Sequence, residues 1–411
     1  MTHRQAIIVG GGPAGLAAAL RLKEKGVNDI LILERERMLG GILRQCIHDG
    51  FGLTRFGESL SGPEYAQRFI DRVTAEGIEA ITDCTVLDIT PDKVVTAVSR
   101  VHGLLQFQAE AVLLTMGCRE RTRGALATPG TRPAGIYTAG VAQSYINLQN
   151  IMVGHEVVIL GSGDIGLIMA RRMTLEGAHV KGVYEVQPYP SGLPRNIEQC
   201  LNDYGIPLHL SHTVVDIRGR ERLTSVVVAQ CDERFLPIPG TETEIPCDTL
   251  ILSVGLIPEN ELSLAAGVEL DPRTRGAFVD EHCQTGVKGI FAAGNVLHVH
   301  DLVDFVSLEA EALADSAAEY LQNGRLPECR LDVKAGNNVG HVIPQRISGT
   351  RGFTLSLRVR QPMKDARFTV RQGERVILTK KLRKALPAEM LQLSIPAEKL
   401  AADADLEVCV E

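Results

Sequence analysis

The chain has 411 residues, beyond the size at which a single hydrophobic core keeps growing, so at least two domains are expected. Hydrophobic residues make up 45% and charged residues 23%, which excludes disorder or coiled coil as the main architecture. A net charge of −7 with only 4% aromatics argues against duplex binding or base stacking, so no nucleic-acid partner is expected.

No run approaches the ~18 apolar residues of a transmembrane helix, and Met1-Thr2-His3-Arg4 leads straight into an apolar strand pattern. The nine cysteines are spread singly, without a Cys-x-x-Cys pair. A disulfide framework, a zinc finger and an intrinsic iron–sulfur cluster therefore lack their usual signatures, and a reduced, cytoplasmic protein is expected. No metal site is expected either.

In chain order, the apolar run Ala6-Ile7-Ile8-Val9 meets Gly10-Gly11-Gly12-Pro13-Ala14-Gly15. A small-residue helix pattern follows, stopped by Gly26, and a second apolar run ends on Glu34. The same grammar returns at Val157-Val158-Ile159-Leu160, then Gly161-Ser162-Gly163-Asp164-Ile165-Gly166, a helix stopped by Gly177, and a strand ending on Glu185. In both copies the acidic residue lies 24 positions after the first glycine. The first glycine makes the turn, the second admits a pyrophosphate, and the third lets helix and strand pack closely. The helix N-terminus offers unpaired amides, and the glutamate can accept from a ribose. Two dinucleotide sites are the reading.

Residues 78–90 and 94–114 read as short strands closing on Thr115-Met116-Gly117, and Leu250 to Gly255 closes the second copy similarly. Gly289 to Asn295 follows, then an alanine-rich helix from about Phe305 to Leu321. Beyond Pro327 the pattern alternates as in β-strands. From Arg330 onward there are 15 basic and 9 acidic residues, so a basic β segment follows an acidic body.

With these paired fingerprints the chain resembles the two-dinucleotide-binding-domain flavoproteins, the broad family of thioredoxin and glutathione reductases, over about residues 1–325. The resemblance implies that Gly10, Gly12, Pro13, Ala14, Gly15 and Glu34 bind FAD. It implies that Gly161, Gly163, Asp164, Ile165, Gly166 and Glu185 bind NAD(H), and that Gly117 and Gly255 mark crossings between domains. Gly294 and Asn295 stand in a second FAD fingerprint, where the family normally has an acidic side chain; a neutral hydrogen bond nets ~1 kcal/mol against ~1.5–3 for a charged one.

A narrower resemblance lies in Gly40-Gly41-Ile42-Leu43-Arg44-Gln45-Cys46-Ile47-His48-Asp49-Gly50-Phe51-Gly52 together with Asn295 to Asp301. These segments look like the NAD(FAD)-dependent dehydrogenases found alongside anaerobic glycerol-3-phosphate dehydrogenase-type flavoproteins. They are also similar to the α subunits of sarcosine oxidase, D-hydroxyproline dehydrogenase and cyanide synthase. The resemblance implies a flavin that relays electrons, with Gly41 near it, to a partner flavoprotein dehydrogenase and/or a small iron–sulfur subunit.

Cys46 is either a redox thiol or a packed one, and His48 either a proton donor or a structural histidine. His298, His300, Asp301 and Asp304 match no familiar metal pattern and are expected along the flavin edge. Arg119, Arg121 and Arg123 are either phosphate contacts or a solvated loop.

The expected fold is α/β: two Rossmann-like domains, the NAD domain inserted in the FAD domain, plus a small β-rich C-terminal domain. The boundaries are 1–118 and 248–325 for FAD, 119–247 for NAD, and 326–411 for the tail. The expected activity is hydride transfer between NAD(H) and flavin, as the electron-transfer subunit of a glycerol-3-phosphate dehydrogenase-like complex. The alternative is a self-sufficient NADH oxidase or a single-cysteine thiol/disulfide reductase using Cys46.

Overall fold

A computed structural model describes residues 1–411 and divides into two units, Met1–Cys118 with Pro258–Glu411, and Arg119–Ile257. In the first unit, strand β1 (Thr2–Val9) leads into helix α1 (Pro13–Glu24), and β2 (Ile30–Leu33) lies parallel beside β1. Pro13 at the first helical position suits the start of α1, because its missing N–H needs no partner there. Ala14, Ala17, Ala18 and Ala19 are buried and leave little side-chain bulk between helix and sheet. On the other flank of β1 runs β3 (Gly103–Leu114), parallel and in register so that Val9 pairs with Leu114. An antiparallel hairpin, 84–89 and 94–99, extends the sheet from β3. Ile8 of β1 packs into one core and Ile7 and Val9 into another, so the sheet is covered on both faces.

The second unit repeats the plan. Strand β4 (Glu156–Leu160), helix α2 (Asp164–Leu175) and strand β5 (His179–Glu185) form its first βαβ, and β6 (Thr249–Leu252) pairs with β4 on the opposite side. The whole five-stranded sheet is parallel. An antiparallel three-stranded sheet, 212–219, 223–230 and 243–246, completes the unit. The second unit thus runs to Ile257, ten residues beyond the expected end at 247. The reason is β6, whose parallel pairing with both β4 and Ile136–Thr138 builds it into this sheet.

Back in the first unit, β7 (Ile290–Ala292) pairs parallel with the end of β3, and α3 (Val303–Asn323) packs against α1. The alanine-rich helix is thereby two residues longer at each end than expected. The basic C-terminal segment is β-rich, as expected, with strands including β8 (Val339–Ile343) and β9 (Phe353–Val359) and its own apolar core around Leu355, Leu357, Phe368 and Val370. It keeps this core of its own and is grouped with the first unit. Buried Gln345 explains why: its carbonyl oxygen accepts from Val279 N–H at 3.0 Å and its amide donates to Asp271 at 3.0 Å. No helix is long and apolar enough to cross a membrane.

Candidate functional site

The two glycine turns share a lock that the motifs alone did not reveal. Gly10 has φ +105°, and a Cβ there would lie 2.6 Å from the carbonyl oxygen of Thr115; one on Gly15 would lie 1.9 Å from the carbonyl oxygen of Gly10. The Thr115 hydroxyl donates to the carbonyls of Val9 (2.9 Å) and Gly10 (3.0 Å), holding the turn to the end of β3. In the second unit Ser253 occupies the equivalent place. Its hydroxyl accepts from Gly166 N–H at 3.0 Å, and a Cβ on Gly161 would lie 2.0 Å from its carbonyl oxygen. A hydroxyl residue two positions before Gly117 and Gly255 was the signal in the sequence for this lock.

The first turn leaves a notch where a pyrophosphate fits. A Cβ on Gly12 would meet nothing nearer than Gly41 Cα at 3.8 Å, while one on Gly41 would crowd Gly12 Cα at 3.0 Å. Both residues must be small for that gap at the N-terminus of α1 to exist, and a Cβ on Gly294 would lie 3.1 Å from that of Ala14. Glu34, buried, accepts from Gly11 N–H (2.7 Å) and Glu36 N–H (2.8 Å), which leaves lone pairs for a ribose.

The second turn is more closely dressed. Glu185 accepts from Ser162 N–H (2.9 Å), Ser162 Oγ (2.6 Å), Ser191 Oγ (2.8 Å) and Gln187 N–H (3.0 Å). Asp164 accepts from Leu193 N–H at 2.8 Å and from the Asn196 amide at 2.7 Å, so the 187–193 loop is fastened beside the turn. Gly163, which caps α2, keeps its approach clear apart from Ser253. A nucleotide fits here if its ribose replaces one serine hydroxyl on Glu185. Neighbouring Ile165 is partly buried in the core of the unit. Gly117 and Gly255 both have positive φ and open space around them. Arg123 is spent on loop carbonyls, including those of Gly130 (3.0 Å) and Pro129 (3.2 Å).

Cys46 lies at the end of the short helical turn Gly41–Gln45, buried, its thiol donating to Ile42 carbonyl at 3.4 Å. A Cβ on Gly62 would sit 2.8 Å from Cys46 Cβ, so the cysteine packs against the start of the 62–75 helix. Burial pushes its thiol up to about 12, which opposes a thiolate nucleophile. All nine cysteines are free. His48 is half-buried, with Nδ1 3.2 Å from the Asp49 carbonyl and its ring tilted on Phe51.

The histidine–aspartate run following Asn295 turns inward. Asn295 Oδ1 accepts from His300 N–H at 2.9 Å, and its amide donates to Cys118 Sγ at 3.6 Å. His298 and His300 face Glu309 of α3, whose carboxylate also accepts from Gly294 N–H at 2.7 Å. Asp301 pairs with Arg358 at 3.1 Å. Asp304 accepts from the amides of Gly52 (2.9 Å), Thr54 (2.7 Å) and Arg55 (3.2 Å), clamping that loop. These acidic and imidazole groups form an internal network in which each member has a backbone or side-chain partner within reach.

A model of the pyridine nucleotide-disulphide oxidoreductase family matches residues 4–316. The chain is 28% identical to the hydrogen cyanide synthase subunit HcnB of Pseudomonas protegens over 287 residues, 64% of this chain and 59% of that protein. It is 24% identical to a ferredoxin–NADP reductase of Ignicoccus hospitalis over 328 residues, 78% of this chain and 99% of that one. Thioredoxin reductase of T. acidophilum superposes with a TM-score of 0.64 at 22% identity, covering 78% of this chain and 99% of that one. With its paired nucleotide-binding folds and a family match over most of its length, the chain belongs to the pyridine nucleotide-disulphide oxidoreductases, enzymes that use FAD and NAD(P)H.

Proposed function

We propose that the first unit holds FAD on the turn Gly10–Gly15 with Glu34, and that the second holds NAD(H) on the turn Gly161–Gly166 with Glu185. The carrying observation is the pair of hydroxyl-locked glycine turns, each closed by a buried glutamate. When bound, the two groups supply hydride exchange between nicotinamide and flavin. The protein's part is positioning. The N-terminus of α1 offers amides to a pyrophosphate, Gly12 and Gly41 keep the approach open, and Glu34 orients a ribose. Glu185 repels a 2′-phosphate, and Val186-Gln187 after it offers no cation, which supports NAD(H) over NADP(H).

Electrons then pass to another polypeptide, in a complex like those of the glycerol-3-phosphate dehydrogenase-type flavoproteins. The buried, protonated Cys46 supports this over an internal thiol relay. So does the edge strand 375–385, which exposes Lys380, Lys381, Arg383 and Lys384, a surface for an acidic partner. The test is anaerobic mixing of the flavin-loaded protein with each nucleotide, followed by co-purification from native cells at low and high salt. NADH should bleach the flavin faster than NADPH, and a partner should be lost at high salt. Faster reduction by NADPH rejects the cofactor assignment. Efficient reoxidation by oxygen alone, with no partner retained, favours a self-sufficient NADH oxidase.

A further inference from the structure

His298 and His300 are both about 1% exposed, and their rings lie 4.3 Å apart between centroids. His298 Nε2 is 2.6 Å from Glu309 Oε1, and His300 Nε2 is 3.5 Å from the same oxygen. The ligand atoms of all three residues fall within 4.8 Å of one another. The third imidazole, His341 from β8, stands nearly perpendicular to His298 with centroids 5.9 Å apart. His298 Nδ1, His300 Nε2 and His341 Nε2 are buried without a hydrogen-bond partner.

The hydrogen-bond arithmetic at His300 calls for positive charge, supplied either by a second ring proton or by a bound cation. Its Nδ1 faces Asn295 Oδ1 at 3.3 Å and its Nε2 faces Glu309 Oε1 at 3.5 Å, both oxygens acceptors only. A neutral ring carries one N–H, so one nitrogen lone pair is left pointing at an oxygen. With Nδ1–H given to Asn295, the bare Nε2 and the carboxylate share the space between them. Such buried groups are normally satisfied by something positive.

We infer that His298, His300 and Glu309 form a binding site for a divalent transition ion of the zinc–iron class. Two imidazoles and one carboxylate are the donors such ions take, and Asn295 holding Nδ1–H of His300 is the outer contact that aims Nε2 inward. Tetrahedral bonds of 2.0–2.1 Å place ligand atoms about 3.3 Å apart. The His300–Glu309 spacing already matches, and the His298–Glu309 hydrogen bond opens by about 0.7 Å from 2.6 Å as the ion replaces its proton. The ligands come from the loop after β7 and from α3, with His341 of the C-terminal segment beside them. The ion therefore ties the loop after β7 to α3, with His341 packed alongside. The expectation of no metal site rested on His298, His300, Asp301 and Asp304 and missed Glu309, which lies eleven residues beyond His298, outside any familiar ligand spacing.

The flavin-loaded protein, stripped with a chelator, is titrated with Zn²⁺ and separately with Co²⁺, and metal content is measured by mass spectrometry. The expected result is about one ion per chain and a visible Co²⁺ ligand-field band. Glu309→Gln, which keeps an acceptor for Gly294, and His300→Ala should each weaken retention by at least about tenfold while FAD stays bound. The inference is overturned if the unaltered protein takes up neither ion and gives no band. It is equally overturned if both variants bind Co²⁺ as tightly as the parent. The parent titration decides the matter even if a variant fails to fold.

Discussion

In the first unit Glu34 accepts from two backbone amides, whereas in the second Glu185 accepts from two amides and two serine hydroxyls. A carboxylate has about four lone-pair sites; in the first arrangement each oxygen holds one donor, whereas in the second Oε2 is crowded by three donors and only Oε1, with one, has room. One glycine grammar therefore yields two settings for the acidic residue: one held by backbone amides alone, and one where serine hydroxyls also sit on Oε2. That contrast suits a cofactor that stays and a substrate that leaves.

The largest expected effect comes from breaking the tighter turn. Gly15→Val places atoms within 1.9 Å of the Gly10 carbonyl, and flavin content should fall to background along with soluble yield. A variant that purifies yellow would show that the turn tolerates a shift. Next, Glu185→Ala should raise the NADPH-to-NADH ratio of flavin reduction rates by about tenfold, some 1.4 kcal/mol, through loss of repulsion toward a 2′-phosphate. An unchanged ratio in stopped-flow measurements would place the discrimination elsewhere.

Ser191→Ala sharpens the comparison most directly. Freeing one lone pair of Glu185 should tighten NADH two- to fivefold, roughly 0.4–1 kcal/mol, in a binding titration. Weaker binding would mean that the serine orders the loop more than it competes. The smallest effect belongs to Cys46→Ser, expected to change NADH-to-dye turnover less than about threefold. With the thiol at about 12, only about one molecule in 10⁵ carries thiolate at pH 7, and ionisation grows only as pH rises toward that value. Rates between pH 6 and 9 should show no thiol limb, and alkylation of Cys46 should be slow.

The glycine turns were legible because their chemistry is local: turn, cap and acidic residue all fall within one βαβ unit. Thr115 and Ser253 were not singled out, although they repeat in the sequence, because their function depends on the parallel registry of β1 with β3 and β4 with β6. The fastening of the 187–193 loop by Asp164 follows from where that loop folds back, which periodicity does not encode. The clamp of Asp304 on Gly52 to Arg55 was not legible, because those partners lie about 250 positions earlier. Composition marks where the tail begins, at Pro327, but the Gln345 contacts that join it to the rest of the first unit are long-range and were not legible.

The interrupted order of the first unit also governs how the chain is made. Residues 119–257 are contiguous and have all their sheet partners as soon as they emerge from the ribosome. Strand β3 and helix α1 instead wait for β7 and α3, which are synthesised only after the second unit is complete. At bacterial-to-eukaryotic elongation speeds of about 5–20 residues per second, that delay is on the order of 10–40 s. Throughout it, α1 has the 62–75 helix beside it but not yet α3, so part of the apolar surface of the N-terminal segment stays uncovered until the chain is nearly finished.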